Sequence, residues 1–283
     1  MKRLLLIVAC AAILPAAGPE LEQARKLYNL TDFDQSLKIL AAIPGKEPAV
    51  EALMGRDYYM LGDYRRATEM LGRAVAGDPS NAEYALWLAR SYGRRAETSN
   101  PFTAPGYASK SRQYFEKAVA LNPRNVDAMN DLFEYYLEAP GFLGGGLDKA
   151  QAMAERIDRI SVVEGRWAHA KIAEKRKEYG SAEEQLRRAV DEAPHQVGRL
   201  IELAKFLARQ GRVQEADQSL ARAEKIAPDS PRVIYAKADL YIKTGRNREK
   251  ARELLERYLK STLTPDDPPR SDAMKLLRQV EGT

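Results

Sequence analysis

The chain has 283 residues but only one cysteine, Cys10, and two histidines, His169 and His195. Cys10 lies in an apolar N-terminal stretch, so the rest of the chain has no disulfide framework and no thiol chemistry. The histidines are far apart in sequence and neither belongs to an HExxH or comparable spacing, so no metal centre is expected. Excess charge is also scarce. Lys and Arg number 45 against 40 Asp and Glu, and this mild surplus is spread along the chain rather than gathered into the basic stripe of a nucleic-acid binder. No nucleic-acid partner is expected. Beyond the N-terminus no apolar run approaches the roughly 20 residues of a membrane-spanning helix. Carboxylate pairs such as Glu183 and Glu184 are sequence neighbours and point different ways on a helix. No nucleophile, base and oxyanion donor can be assembled, so neither catalysis nor a cofactor is expected. What remains is a chain that is 45% hydrophobic, enough for a sizeable core.

The opening "MKRLLLIVACAAILPAAGPE" places two cations before an apolar run from Leu4 to Leu14, followed by the small residues Ala16, Ala17 and Gly18. These are the three regions of a secretory signal peptide, which predicts residues 1–18 as a removed leader and an exported protein, periplasmic or in the cell envelope of a bacterium. Ile7 to Cys10 also resembles a lipoprotein cleavage box, so a lipid anchor at Cys10 is the alternative. Only six apolar residues precede that cysteine, however, and an apolar stretch follows it.

A repeat organises the rest. A small residue is followed by a large apolar one four positions on, a small or apolar one three later, and often a proline. Ser36, Leu40, Ile43 and Pro48 fit the pattern, as do Ala67, Leu71, Ala74 and Pro79, and Ser111, Phe115, Ala118 and Pro123. It recurs at Ala182, Leu186, Ala189 and Pro194, and at Ala216, Leu220, Ala223 and Pro228; Ala150, Ala154 and Ile157 lack the proline, and Ala251, Leu255 and Tyr258 carry it displaced to Pro265. Steps of four and three put these side chains on one helix face, with the small residue allowing close approach of a partner helix. That partner lies upstream in each unit, marked by Gly55 and Tyr58, Ala89 and Tyr92, Phe133 and Tyr136, Ala204 and Leu207, and Ala238 and Tyr241. Gly62, Gly211 and Gly245 fall in the turn between the two helices, where a left-handed backbone suits glycine.

With these residues in place, the chain resembles the tetratricopeptide repeat family. "LMGRDYYMLGDYRRATEMLGRAVAGDP" carries the family's glycine, tyrosine, alanine and proline pattern, and residues 196–228 repeat it. The resemblance covers roughly residues 20 to 265 at a period of about 34. It implies an all-α, right-handed α-solenoid of about seven helix-turn-helix units over 19–265, with a protein or peptide partner. Residues 266–283 are predicted as a capping helix and tail, since Ala273, Leu276, Leu277 and Val280 share one side and Lys275 and Arg278 the other. The asparagine and lysine clamp with which chaperone-binding relatives grip a C-terminal carboxylate is absent, so that partner is not carried over.

Two segments lengthen the repeat, "GRRAETSNPFTAP" near 93–105 and "APGFLGGG" at 139–146. Gly141 and Gly146 have the glycine spacing of a phosphate-binding loop, but Leu147 and Asp148 stand where Lys and Ser or Thr are required, and a helix rather than a strand precedes. Asp148 suits the first turn of a following helix instead. The glycines are therefore expected in an elongated turn. Phe102, Phe142 and Leu143 in these rim segments either contact a partner or cover a helix edge.

In solenoids of this family the first helix of each unit lines the concave face. Its positions one turn apart are Arg56 and Met60, Arg90 and Arg94, Glu134 and Glu138, Lys171 and Lys175, Lys205 and Arg209, and Asp239 and Lys243. Eight of these twelve are basic, where the overall composition gives about two. The resulting ligand groove of Arg56, Arg90, Arg94, Lys171, Lys175, Lys205, Arg209 and Lys243 points to an acidic segment, with Arg56, Arg90, Lys171 and Lys205 expected in solvent. Trp87 and Trp167 are expected as core or groove wall. The resulting expectation is an exported interaction scaffold; the alternatives are a lipid-anchored structural subunit of an envelope assembly and, more distantly, an enzyme at the rim.

Overall fold

The structure, a computed structural model, describes residues 18–282. Apart from Gly18, the proposed leader, and Cys10 with it, lies outside the described residues. The described residues form α-helices and one short 3-10 turn, with no strand. Seven antiparallel pairs follow one another: α1 (Pro19–Asn29) with α2 (Phe33–Ala42), α3 (Pro48–Met60) with α4 (Tyr64–Gly77), α5 (Ala82–Glu97) with α6 (Ala104–Leu121), and α7 (Val126–Glu138) with α8 (Leu147–Asp158). They continue as α9 (Val162–Lys175) with α10 (Tyr179–Glu192), α11 (Val197–Arg209) with α12 (Val213–Ile226), and α13 (Pro231–Lys243) with α14 (Arg248–Lys260), closed by a single helix α15 (Arg270–Glu281). The molecule is an α-solenoid.

The small residue of the repeat explains the pairing. Ser36, Ala67, Ser111, Ala150, Ala182, Ala216 and Ala251 are all fully or almost fully buried, and the large residue one turn on is buried with them from Leu40 to Leu255. A methyl or hydroxymethyl group there lets two helix backbones approach, and the larger neighbours then interdigitate. Gly55 is the complementary small position on α3: a Cβ added to it would sit 2.5 Å from Leu71 Cγ and 3.1 Å from the Leu71 backbone nitrogen.

Turn chemistry repeats as faithfully as packing. The residue closing the first helix of five units has positive φ: Thr31, Gly62, Lys177, Gly211 and Gly245. In each case the next amide bonds back five residues, as in Asp63 N to the Tyr58 carbonyl at 2.9 Å and Glu178 N to the Ala173 carbonyl at 2.8 Å. That bond satisfies a carbonyl left free by the helix end. Thr31 and Lys177 adopt the same backbone with a Cβ, which the cap tolerates at a cost. Side chains of Asp32, Asp63, Asn81, Asn125 and Ser161 cap the N-termini of α2, α4, α5, α7 and α9.

The two insertions are built differently. The segment near 93–105 is not mainly a loop, since α5 continues to Glu97 and α6 begins at Ala104. The added residues find packing partners and therefore stay helical. Tyr92 stacks on Tyr107 and Tyr114 with centroids 6.2 and 5.9 Å apart, and Arg95 lies over Tyr107 while donating to Thr68 Oγ1 at 2.7 Å. The segment 139–146, in contrast, is a tight turn with a 3-10 element at Gly141–Leu143.

A carboxyl group is buried in the first interface. Asp57 on α3 is inaccessible to solvent; Ser36 Oγ donates to its Oδ2 at 2.7 Å, and its Oδ1 has no partner within the protein. Burial pushes the Asp57 pKa up to about 8, against the opposing effects of the Ser36 hydrogen bond and of Arg56.

Two stability outcomes follow. Gly55→Ala is expected to destabilise by about 1–3 kcal/mol through overpacking against Leu71. Gly72→Ala in α4, where an added Cβ meets nothing within 4 Å, is expected to stabilise by about 0.5–1 kcal/mol. Urea denaturation of both variants checks the pair. For Asp57, the unfolded chain loses its proton near an ordinary aspartate pKa of about 4, whereas the folded state keeps it to about 8. The folded state thus binds more protons across that window, so this group's contribution to stability is full below it and is lost as pH rises towards 8. Asp57→Asn should change little at pH 4.5 and stabilise at pH 8 by on the order of a few kcal/mol; equal effects at both values would refute the assignment.

Candidate binding groove

The concave face is lined by the first helices, α3 to α13 in odd steps, and by the segment 265–272 that leads into α15. It divides into an N-terminal part of about 520 Å³ around Arg56, Arg90 and Arg94, and a C-terminal part of about 800 Å³ around Lys171, Lys205 and Arg209. Lys243 belongs to the second part, whereas Lys175 lines neither part and pairs with Glu138 at 2.8 Å. Seven of the eight basic residues therefore line this face.

They do not form a basic ribbon, which corrects the expectation drawn from composition. Arg56 pairs with Glu83 at 2.7 Å, Arg90 with Asp131 at 2.5 Å, Arg94 with Glu97 at 2.8 Å and Asp272 at 3.7 Å, and Lys205 with Glu202 at 2.9 Å. Arg209 grips both Glu174 oxygens at 2.7 and 2.9 Å, and Lys243 holds Asp239 at 2.8 Å. Lys171 lies in the field of Glu134 and Glu202. In the C-terminal part six cations face seven carboxylates, so its lining is close to neutral. Several pairs join residues about one repeat apart, Glu174 with Arg209 and Glu138 with Lys175. The first helix of one unit thus supplies the counter-charge of the next. Asn130, Glu164 and Arg199 extend this pairing through three units, with Glu164 accepting from Asn130 Nδ2 at 3.1 Å and Arg199 Nη2 at 2.6 Å.

Arg90 is not in open solvent either. Its side chain is only 27% exposed, and burial alone would lower its pKa; Asp131 more than offsets this and holds the guanidinium charged. Glu134 moves the other way. Its carboxyl is raised by desolvation, opposed by Lys171 and reinforced by Asp131, Glu202 and Glu138. Glu202 is lowered in spite of desolvation, because Lys205, Lys171 and Arg209 surround it.

Aromatic rings orient the N-terminal arginines, a feature missed by counting charges. The Arg56 guanidinium lies 4.6 Å from the Tyr28 ring and 4.7 Å from that of Trp87, which is also 5.1 Å from Arg90. Arg94 lies over Tyr64 at 5.2 Å and donates to its hydroxyl at 3.0 and 3.1 Å. Tyr59 fixes both rings edge-on, at 5.6 Å from Tyr64 and 5.4 Å from Trp87. Trp87 is thus groove wall, and Trp167, largely buried against Phe133, also borders the C-terminal part of the groove. The detectable signal was a tyrosine somewhat less than one repeat before Arg56 and Arg94, and Trp87 one helical turn before Arg90.

At the rim, Phe102 and Phe142 are 96% and 82% exposed, so neither belongs to the core. Leu143 is half-buried and lines a cleft of about 500 Å³ between the α5 extension and the 139–143 turn. That turn is anchored by Gly146 N to the Tyr136 carbonyl at 2.8 Å and by the Tyr135 hydroxyl donating to the Leu143 carbonyl at 2.9 Å. Gly144 has φ 87°, and a Cβ at Gly145 would meet the Ala139 oxygen at 1.8 Å. Backbone geometry accounts for these glycines without a phosphate. His169 is half-buried, His195 is exposed, and the described residues contain no cluster of His, Cys, Asp and Glu able to hold a metal. No helix among the described residues is long and apolar enough to cross a membrane.

Stacked helix pairs around a shared concave face define the class of helical-repeat scaffolds. The tetratricopeptide repeat pattern matches residues 173–240 and 210–277 in one form and 52–95 in another, together more than half of the chain. The chain belongs to the tetratricopeptide repeat family, whose repeats build protein-interaction scaffolds. No curated protein matches it in sequence. Among solved structures it is similar to a tetratricopeptide repeat protein of Parabacteroides merdae, at TM-score 0.59 and 14% identity over 93% of this chain and 97% of that one. It is also similar to a thermophilic one from Thermus thermophilus, at TM-score 0.54 and 21% identity over 66% of this chain and 97% of the other. The C-terminal part of a repeat protein from Cytophaga hutchinsonii follows, at TM-score 0.50 and 14% identity over 90% of this chain and 99% of that one. These likenesses concern the fold.

The rim geometry is checked by substitution. Phe102→Ser and Phe142→Ser should each leave stability within about 0.5 kcal/mol of the parent, as for other exposed positions. Gly145→Ala should lower the melting temperature, because the turn cannot accept its Cβ. A large loss from either phenylalanine variant would show a covered rim.

Proposed function

We propose that this chain is an exported scaffold that holds a segment of another protein in its concave groove. The carrying observation is the continuous face formed by the first helices of units two to seven, on which oriented arginines and repeat-spaced ion pairs present charges of both signs. Fixed charges of this kind favour one partner over others more than they add affinity. Support for export comes from the residue pattern of 1–18, cations then an apolar run then small residues; lipidation at Cys10 is the competing fate. A second reading places the partner at the rim, favoured by the exposed Phe102 and Phe142 and by the cleft that Leu143 lines.

Photo-crosslinking residues placed at Lys205 and at Phe142 separate the two in cells. Crosslinks from position 205 that disappear on combined alanine substitution of Arg209 and Lys243 are the expected result, with stability changed by about 1 kcal/mol or less since both are surface pairs. Crosslinks confined to position 142 would move the site to the rim. Absence of crosslinks from both would end the scaffold reading. A purified protein of unprocessed mass retaining Met1 would remove the export claim.

A further inference from the structure

One element of the groove comes from the far end of the chain. From the connection after α14 into the first turn of α15, the sequence "TPDDPPRSD", residues 264–272, lies along the concave face opposite the N-terminal arginines. Its backbone is held from the C-terminal side: Arg232 Nη2 donates to the Asp266 carbonyl at 2.8 Å, the Tyr258 hydroxyl donates to the Pro268 carbonyl, and the Thr264 amide donates to Asp267 Oδ2 at 2.9 Å. Asp267 is engaged within the segment, where it also accepts from the Thr264 hydroxyl at 3.0 Å, while Asp266 and Asp272 border the groove. Asp272 Oδ1 is 3.7 Å from Arg94 Nη2, and Asp266 lies close enough to Tyr28 to act on its hydroxyl, beside Arg56.

Charge matches the placement. The lining of this part of the groove carries Arg56, Arg90, Arg94 and Arg232; outside the segment only Asp127 and Asp131 oppose them, and the segment adds three aspartates. Without the segment the lining is net positive by two, and with it net negative by one. Glu83 and Glu97 also touch Arg56 and Arg94, but from solvent, with side chains 59% and 63% exposed. Exposed pairs of that kind are worth little and give way to another carboxylate. The arginines are preset by Tyr28, Trp87 and Tyr64, so an incoming carboxylate need not order them. The segment is folded as a turn, with Asp267 N donating to the Thr264 carbonyl at 3.0 Å, and Pro265, Pro268 and Pro269 restrict its backbone on either side.

We propose that the Arg56, Arg90 and Arg94 wall is a docking site for an acidic segment of a partner protein, and that the chain's own residues 264–272 are a tethered occupant which that partner displaces. The proposal rests on the groove scaffold reading and adds the chemistry of the partner and a competitor built into the chain. A tethered occupant acts at an effective concentration in the millimolar range, so only a partner with more carboxylates or added contacts displaces it.

The test uses the full mature-length chain and a labelled synthetic peptide of residues 264–272, read by fluorescence anisotropy. Parent protein should bind it weakly. The variant Asp266→Asn, Asp267→Asn, Asp272→Asn keeps Leu263, Ala273 and Val280 to cover the last pair, and should bind the peptide at least tenfold more tightly. The gain should be lost with the all-asparagine version of the peptide, on adding Arg94→Gln, and on raising salt from 0.05 to 0.3 M, since exposed charge is screened over about 10 Å at 0.1 M. Unchanged affinity in the triple variant, or equal binding of the uncharged peptide, would overturn the proposal. So would a single-stranded oligonucleotide that binds the triple variant as tightly as the peptide does. Crosslinks at position 205 that persist while the triple variant gains nothing would keep the scaffold reading and remove this one.

Discussion

The solenoid depends on how closely two helix backbones can approach. Where Ser36, Ala67, Ser111, Ala150, Ala182, Ala216 and Ala251 stand, any larger side chain would hold the pair apart. That spacing sets the angle between the helices, and the angle, repeated, sets the curvature that gives the molecule a concave side at all. Gly55 against Leu71 shows the tightest case, with backbone and side chain both within reach of a single added carbon. The groove, lined by the first helices, is therefore a consequence of small residues on the second helix of each pair.

Much of this was legible because the period is written in side-chain volume. Burial of small residues at fixed intervals, and glycines with positive φ at Gly62, Gly211 and Gly245, follow from sterics that involve only near neighbours. The insertion near 93–105 was harder, since its helical continuation depends on Tyr92 meeting Tyr107 and Tyr114 across the pair. Charge in the groove was harder still. Counting eight cations on one face ignored the counter-charges one repeat away, which become visible only when units are stacked. Glu174 with Arg209 was discoverable from the period; Arg94 with Asp272 was not, because nothing local relates them.

Two kinds of cation result. Lys205, Arg209 and Lys243 sit beside carboxylates of their own helix or of the adjoining unit, and their pairs belong to the repeat. Arg56, Arg90 and Arg94 are also stacked on rings, so their direction is set by packing as well as by charge. The same charge thus enters repeat-spaced ion pairs in one half and a ring-oriented donor array in the other, and the difference lies in Tyr28, Tyr64 and Trp87.

The contact between Arg94 and Asp272 also bears on how the chain behaves as a polymer. In a linear stack each unit is sensed only by its neighbours, and an end unit can fray without the other end responding. A contact spanning residues 94 to 272 closes the stack into an arc with a crossbar. It is a long-range contact in a molecule otherwise made of short-range ones, and its loop-closure entropy is set by most of the chain. Opening it therefore reports on the bend of the whole array, so that a small change of curvature anywhere between units three and seven is felt at this one ion pair.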